Sequence, residues 1–307
     1  MYFLMTITIL FTLFGNLLII VSIVHFKQLH NPTNYLVLCL ANVDILLGAF
    51  VMPCSMMRSV ETCWYFGDLF CKIHSSTDVM LSTASILHIF CISIDRYHAI
   101  CHPLTYRVKI NKNVVLGLTL VTWWTSASLA FGMIFLELNI IGIEELYYQS
   151  VYCVGGCTLF LNRGAAFGSS LLSFYIPGII MIGVYGKIFT VAKRQAKSMN
   201  CCQTGDYNAS QIVQKRERKA AKTLGIVMGG FLVCWFPFFS CNILDPILGY
   251  STPTVLVDAL VWFGYLNSAL NPILYAYFYT WFRNALKVIV SGKIFHPNSS
   301  MITLYQD

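Results

Sequence analysis

The chain has 307 residues, of which 57% are hydrophobic and only 11% charged, and its formal net charge is +7. A soluble domain keeps roughly a quarter of its residues charged, so this composition excludes an ordinary water-soluble protein and indicates a membrane protein. The basic excess does not favour a nucleic-acid partner, because the basic residues flank apolar runs and lack interleaved aromatic residues.

Seven long apolar runs follow one another along the chain. Each is close to the roughly 20 residues that a helix needs to cross a bilayer, whereas a transmembrane β-barrel would show short alternating segments. The first run has no small-residue cleavage site, which favours a true span over a signal peptide. The runs cover approximately residues 2–24, 35–57, 73–97, 114–136, 166–191, 220–244 and 254–278.

The loops between these runs differ in charge. One set and the carboxyl tail carry most of the lysine and arginine, while the opposite loops hold only Arg58, Lys72 and Arg163. The positive-inside rule then places the basic loops in the cytoplasm and the amino terminus outside. We therefore predict an all-α membrane protein, a seven-transmembrane helix bundle over 1–291 with a cytoplasmic tail over 292–307.

An eighth, short helix is expected after the last span. Residues 280–291 combine apolar and basic side chains and fit an amphipathic helix that lies on membrane lipid.

Three cysteines lie on the predicted outer side, where the environment is oxidising. They are Cys71, Cys153 and Cys157, and we expect one disulfide among them. The spacing of the residues by itself leaves the pairing open.

Few ionisable residues lie inside the spans, and each is a functional candidate because a charge in hydrocarbon is costly. Asp44 is in the middle of the second run. Asp78 lies about 10 Å below the outer end of the third, and Arg96 about 27 Å deeper, at a helical rise of about 1.5 Å per residue. The number of residues between Glu217 and Trp235 equals the number between Asp78 and Arg96. Arg96 and Glu217 can therefore lie at the same depth in the membrane.

Motifs at these depths resemble the signature of rhodopsin-like G-protein-coupled receptors. They are Asp95-Arg96-Tyr97 at the end of the third run, Cys234-Trp235-Phe236-Pro237 in the sixth, and Asn271-Pro272-Ile273-Leu274-Tyr275 in the seventh. The resemblance covers the whole chain. It implies a multi-pass receptor of the plasma membrane, a heterotrimeric G protein as partner, and no enzymatic activity.

The seventh run narrows the resemblance. Residues 267–282 read NSALNPILYAYFYTWF, which is similar to the fingerprint of trace amine-associated receptors, and residues 131–139 look most like the first subtype of that family. The family implies a small extracellular amine as ligand, of the phenethylamine or tyramine type. It also implies the stimulatory G protein and a rise in cyclic AMP.

The resemblance assigns the amine site to Asp78, whose carboxylate would bind the ammonium through charge-assisted hydrogen bonds. Tyr265 is expected to hydrogen-bond Asp78 and orient it, and aromatic walls would add cation–π attraction. Serines of the fifth run would meet ring hydroxyls or simply bond their own backbone. The remaining expected ligand-binding residues are Trp235, Phe238, Phe239, Trp262, Ser169, Ser170 and Ser173.

Two further groups of residues follow from the resemblance. A sodium and water pocket, the only cofactor site expected, would comprise Asp44, Asn16, Ser82, Asn267, Ser268 and Asn271, with a purely structural water network as the alternative. The activation switch would comprise Asp95, Arg96, Tyr97, Glu217, Tyr185, Asn271, Pro272 and Tyr275. The family pairs Cys153 with an amino-terminal cysteine, which leaves Cys71 and Cys157 as the expected disulfide.

Other functions fit the sequence less well. A catecholamine or serotonin receptor is the near alternative, opposed by the fingerprint in the seventh run. A transporter of organic cations is the alternative from another class, and it would show two related halves with discontinuous helices, which this sequence lacks.

Overall fold

A computed structural model describes residues 2–61, 64–152, 157–199 and 208–305 of the chain. Within these ranges the chain is a bundle of long helices. The helices are α1 (Tyr2–His25), α2 (Pro32–Glu61), α3 (Gly67–Cys101), α4 (Lys112–Phe135), α5 (Arg163–Ser170, Leu171–Tyr175 and Ile176–Met199), α6 (Asn208–Leu244), α7 (Thr254–Phe278) and α8 (Thr280–Val290).

These bounds confirm the predicted fold class. Among the described residues, α1 to α6 contain stretches long and apolar enough to cross a membrane. α7 is more polar because it carries Asn267, Ser268 and Asn271, but it packs between α1 and α6 in the same bundle. Two short helices, Pro103–Lys109 and Glu144–Tyr152, lie in connections where the sequence predicted none.

Asparagine side chains start three of the helices. The Oδ1 atom of Asn31 accepts a hydrogen bond from the Asn34 amide at the start of α2, and Asn111 and Asn162 cap α4 and α5 in the same way. Such a cap satisfies one of the backbone amides that the first turn leaves without a partner.

The regular helix is interrupted where the bundle holds its polar residues. π-helical turns occur at Leu47–Val51 in α2 and at Leu171–Tyr175 in α5. Pro237 and Pro272 lie inside α6 and α7, where each removes a backbone hydrogen bond and allows a kink. Within the π-helical turn of α5, Ser173 and Phe174 are buried.

α3 is the central helix and contacts α2, α4 and α5, while α7 joins α1 to α6. The contact between α1 and α7 is close at Gly15, where an added Cβ would lie 2.6 Å from Cγ of Pro272. A glycine is therefore required for α1 to approach α7 at Pro272.

A disulfide joins Cys71, near the start of α3, to Cys157 in the loop before α5. This confirms the predicted pairing, and Cys153 lies outside the described residues. We call the end of the bundle that holds this disulfide the outer end, and the end that holds Arg96 the inner end.

Candidate functional site

Asp78 lies on α3, half-buried, about two turns below Cys71. The hydroxyl of Tyr265 on α7 donates a hydrogen bond to Oδ2 of Asp78 at 2.7 Å, as the sequence predicted. Ser82, one turn further along α3, donates to Oδ1 at 3.3 Å. In the part of the chain that the structure describes, no lysine or arginine forms a salt bridge with Asp78.

Aromatic rings from α6 and α7 line the same region. The Trp235 ring is buried, and its centroid lies 5.9 Å from those of both Phe238 and Phe239 and 6.4 Å from that of Tyr265. Trp262 lies 5.5 Å from Tyr265, edge to face. The predicted aromatic residues are thus brought together around the helix faces that flank Asp78.

The Trp235 ring packs closely against α7. An added Cβ at Gly264 would lie 2.7 Å from ring carbons of Trp235. The indole nitrogen of Trp235 is buried and has no hydrogen-bond partner among the described residues. Among the described residues the ring is therefore held by packing and not by a hydrogen bond. A change in the distance between α6 and α7 would then change the position of the ring.

The three serines of α5 differ in their hydrogen bonds. Ser169 donates to the Ala165 carbonyl at 2.6 Å, so this hydroxyl bonds its own backbone. Ser170 is buried and accepts from the side chain of Asn242, whereas Ser173 accepts from Thr83 on α3 at 3.3 Å. Ser173 keeps a hydroxyl proton that can be donated.

Asp44 is fully buried in α2 and accepts three hydrogen bonds. Its donors are the hydroxyls of Ser85 and Ser268, at 3.3 and 2.8 Å, and Nδ2 of Asn271, at 2.8 Å. Nearby, Asn16 on α1 donates to the backbone oxygen of Ser268 at 3.1 Å. Asn267 is also buried, and its Nδ2 has no partner among the described residues.

One predicted member of this group is misplaced. Ser82 was assigned to the Asp44 pocket, but its hydroxyl bonds Asp78, and Ser85 bonds Asp44 instead. The reason is helical geometry: Ser82 follows Asp78 by four residues and so meets its carboxylate, whereas Ser85 lies about one turn deeper on the same side of α3 and meets Asp44.

At the inner end Arg96 is held by its neighbour Asp95, with Nη2 and Oδ2 2.6 Å apart. Thr33 on α2 also donates to Asp95, at 2.8 Å, and it contacts the Arg96 guanidinium. Tyr106, in the short helix after α3, donates to Oδ1 of Asp95 at 2.8 Å. Burial, and then the charge of Asp95, raise the pKa of Tyr106, which keeps this hydroxyl protonated as a donor.

The other predicted switch residues lie along the same inner half. The Tyr185 ring on α5 lies directly against α6, since a side chain at Gly225 would overlap it. Tyr275 is buried in α7, its ring centroid 5.4 Å from that of Tyr279, and Tyr97 packs against His98. The side chain of Glu217 lies outside the described residues, so its pairing with Arg96 stays a prediction.

Sequence reasoning missed several residues of these groups. Ser55 contacts Tyr265 and His74 contacts Ser55, Phe174 stacks on Phe239, and Tyr106 bonds Asp95. Only the buried polar character of Ser55 and His74 within apolar runs could have pointed to them. Their partners come from distant parts of the chain, which no local pattern connects.

The helix order, the disulfide, the buried Asp44 and the half-buried Asp78 fit a seven-helix membrane receptor. In agreement, the sequence model of the family described as 7 transmembrane receptor (rhodopsin family) matches residues 15–275. The chain is 56% identical to trace amine-associated receptor 1 of Macaca mulatta, covering 99% of this chain and 91% of the relative, and 56% identical to that of Mus musculus, covering 99% and 92%.

Trace amine-associated receptor 4 of Rattus norvegicus is 47% identical, over 99% of this chain and 89% of the relative. The chain belongs to the trace amine-associated receptor family, within the rhodopsin-like receptors. It is a receptor and not an enzyme, and it crosses the plasma membrane several times. The higher identity to subtype 1 agrees with the predicted likeness to the first subtype.

Proposed function

We propose that this receptor binds small primary amines of the phenethylamine or tyramine type at Asp78. The proposal is carried by one observation: a half-buried carboxylate, oriented by Tyr265 and without a salt bridge among the described residues, lies beside a cluster of aromatic rings. An ammonium group complements both features, because it forms charge-assisted hydrogen bonds with the carboxylate and cation–π contacts with the rings.

The subtype names of the relatives support the same ligand class. Several curated receptors that cover almost the whole chain are named for trace amines. A catecholamine or serotonin receptor would share Asp78, so the carboxylate alone does not separate these ligands. The preference for phenethylamine and tyramine rests on the family.

The test is a cyclic AMP assay with a panel of primary amines on cells that express the receptor. The Asp78→Ala variant should lose amine responses by at least about a hundredfold, since it leaves the ammonium without its counter-ion. Surface expression should be unchanged, because Asp78 has no salt-bridge partner within the described ranges that its loss would leave unpaired. Asp258→Ala, which removes an outer carboxylate paired with Arg58, is the control. An Asp78→Ala variant with an unchanged dose–response curve would sink the proposal.

The proposed signal is coupling to the stimulatory G protein. An amine can shift the receptor only by binding one state better than another. The ammonium draws α3 and α7 together at Asp78 and Tyr265, and this movement reaches Trp235, which packs on α7 at Gly264. Since Pro237 removes a backbone hydrogen bond within α6 and allows it to bend there, its inner end then swings away from Arg96 and opens a cleft for the G protein.

We also propose that a sodium ion binds beside Asp44. The residues fit a hard cation, which prefers oxygen ligands. The Asp44 carboxylate and the hydroxyls of Ser85 and Ser268 lie together, and the Oδ1 atoms of Asn16 and Asn271 are buried without a hydrogen-bond partner among the described residues. The ion would supply a positive charge to a buried carboxylate that forms no salt bridge with the residues that the structure describes.

A further inference from the structure

A chain of buried polar groups continues from Asp78 beyond Tyr265. The Tyr265 hydroxyl lies 3.2 Å from Oγ of Ser55 on α2, and Oγ of Ser55 lies 3.3 Å from Nε2 of His74 on α3. The same His74 nitrogen lies 3.3 Å from the backbone oxygen of Val51. Ser55 and Tyr265 are fully buried and His74 is only 4% exposed.

The direction of each hydrogen bond in this series follows from the chemistry of the groups at its two ends, the Asp78 carboxylate and the His74 ring. An ionised carboxylate only accepts, so Tyr265 uses its single proton on Asp78. The Tyr265 oxygen then accepts from Ser55, which has no second proton. The oxygen of Ser55 must therefore accept from Nε2 of His74.

The backbone oxygen of Val51 leads to the same assignment for His74. A carbonyl oxygen only accepts, so the nitrogen that faces both Val51 and Ser55 carries the proton. The other ring nitrogen, Nδ1, is buried and has no hydrogen-bond partner among the described residues. In a neutral ring with its proton on Nε2, Nδ1 is an acceptor and carries no proton. No N–H group of His74 is therefore buried without a partner.

We propose that His74 and Ser55 are positioning residues of the amine site, and the proposal rests on Asp78 being the ammonium counter-ion. Acting through Tyr265, they hold the Asp78 carboxylate in one orientation. The hydrogen bonds donated by His74, Ser55 and Tyr265 all point towards Asp78. Hydrogen bonds in such a series strengthen one another. Without Ser55 or His74 the Tyr265 hydroxyl is free to turn, and the lone pairs that receive the ammonium lose their fixed direction.

The packing of His74 supports a fixed geometry. Its ring centroid lies 5.5 Å from that of Trp64, whose indole nitrogen donates to the backbone oxygen of Gly67 at 3.0 Å. The ring is thus held between the start of α3 and the π-helical turn of α2 that ends at Val51. The chain of hydrogen bonds joins α2, α3 and α7 at the level of the amine.

The experiment compares variants in two backgrounds, with phenethylamine affinity measured by competition binding on membranes at matched surface expression. Ser55→Ala and His74→Leu should each weaken binding about three- to tenfold, the effect of one net hydrogen bond. The double variant should bind phenethylamine as tightly as the weaker-binding single variant does, since both substitutions break the same series of hydrogen bonds. Ser55→Thr and His74→Gln, which keep the hydroxyl and an N–H at similar reach, should restore affinity.

The decisive background is Tyr265→Phe, which lacks the hydroxyl that joins the chain to Asp78. In that background Ser55→Ala and His74→Leu should cause no further loss. Equal losses in both backgrounds would mean a general packing defect and would overturn the proposal, as would unchanged affinity in the single variants. A wild-type receptor that binds no amine would overturn this proposal together with the proposed function, whereas binding without sensitivity to His74 and Ser55 would overturn this one alone.

Discussion

Asp44 and Asp78 are both aspartates of apolar helices, yet their surroundings suit different cations. Asp44 is fully buried and accepts from three side chains, while Asp78 is half-buried beside aromatic rings. The first therefore suits a small ion that fits among polar groups. The second suits an organic cation with an apolar body.

The sodium proposal predicts a salt effect at residue scale. We expect sodium to bind better to the state in which Arg96 pairs with Asp95, and the amine to bind better to the other state. Because coupling between two sites is reciprocal, bound sodium then lowers the affinity for the amine. Replacing choline chloride by sodium chloride at equal ionic strength should lower phenethylamine affinity by roughly fivefold to tenfold. Ser85→Ala should reduce this difference, while Ser82→Ala should leave it intact; sodium sensitivity that survives in Ser85→Ala would count against the assignment.

The serines of α5 lead to a second residue-scale prediction. Changing both Ser169 and Ser173 to alanine should weaken tyramine more than phenethylamine, by roughly fivefold, because only tyramine has a ring hydroxyl to lose a hydrogen bond. Of the single changes, Ser173→Ala should carry most of the effect, since the Ser169 hydroxyl already bonds the Ala165 carbonyl. The ratio of the two half-maximal concentrations measures this. Equal losses for both amines would indicate altered packing instead.

At the scale of elements, α6 is the helix whose movement the proposed mechanism requires. Pro237 removes one of its backbone hydrogen bonds, and Tyr185 of α5 lies against it at Gly225. Its inner segment, residues 208–224, has no described side chains. Among the described residues, Asp95 on α3 and Thr33 on α2 contact Arg96 and hold it.

The contact between Arg96 and Glu217 remains a prediction with a direct test. Glu217→Ala should raise ligand-independent cyclic AMP severalfold, because it removes a contact made only in the inactive state. Lys219→Ala is the matched control, since it removes a charge from the same stretch of sequence and leaves the predicted partner of Arg96 in place. Flat basal signalling at equal surface expression would show that Asp95, Thr33 and Tyr106 restrain Arg96 without α6.

At the scale of the whole molecule, the segment after α8 folds back on the inner end of α1. Leu304 is fully buried, its amide donates to Gln28 at 3.1 Å, and its carbonyl accepts from Asn284 at 3.0 Å. His25 at the end of α1 lies 2.9 Å from the Ser299 hydroxyl. The predicted tail, residues 292–307, thus contributes a buried contact to the bundle.

This contact predicts a loss of stability. Leu304→Asp places a carboxylate in an apolar site and should lower the thermal unfolding temperature in detergent by about 5 °C, from the usual effect of losing a buried leucine. Met301→Asp alters a side chain that is 58% exposed and should change little. Equal melting curves for the wild type and Leu304→Asp would show that the segment does not stabilise the bundle.

Much of this architecture could be read from the sequence, because hydrocarbon accepts little but long apolar helices. The run lengths predicted the spans, and helical rise set the depths of Asp78 and Arg96. The proximity of Tyr265 to Asp78, the aromatic cluster and the Cys71–Cys157 pairing followed from the family resemblance. All three are present in the structure.

The depth of each residue in the bundle follows from its position in the sequence, because depth is obtained by counting along a helix. The neighbour that each polar group meets depends instead on how the helices are shifted and rotated against one another and on where π-helical turns interrupt them, so it follows from tertiary packing. The hydroxyl from α3 that meets Asp44 is therefore that of Ser85 and not that of Ser82, and Thr33 and Tyr106 join Asp95. The line of hydrogen bonds from His74 to Asp78 crosses three helices, so no pattern within one helix could reveal it.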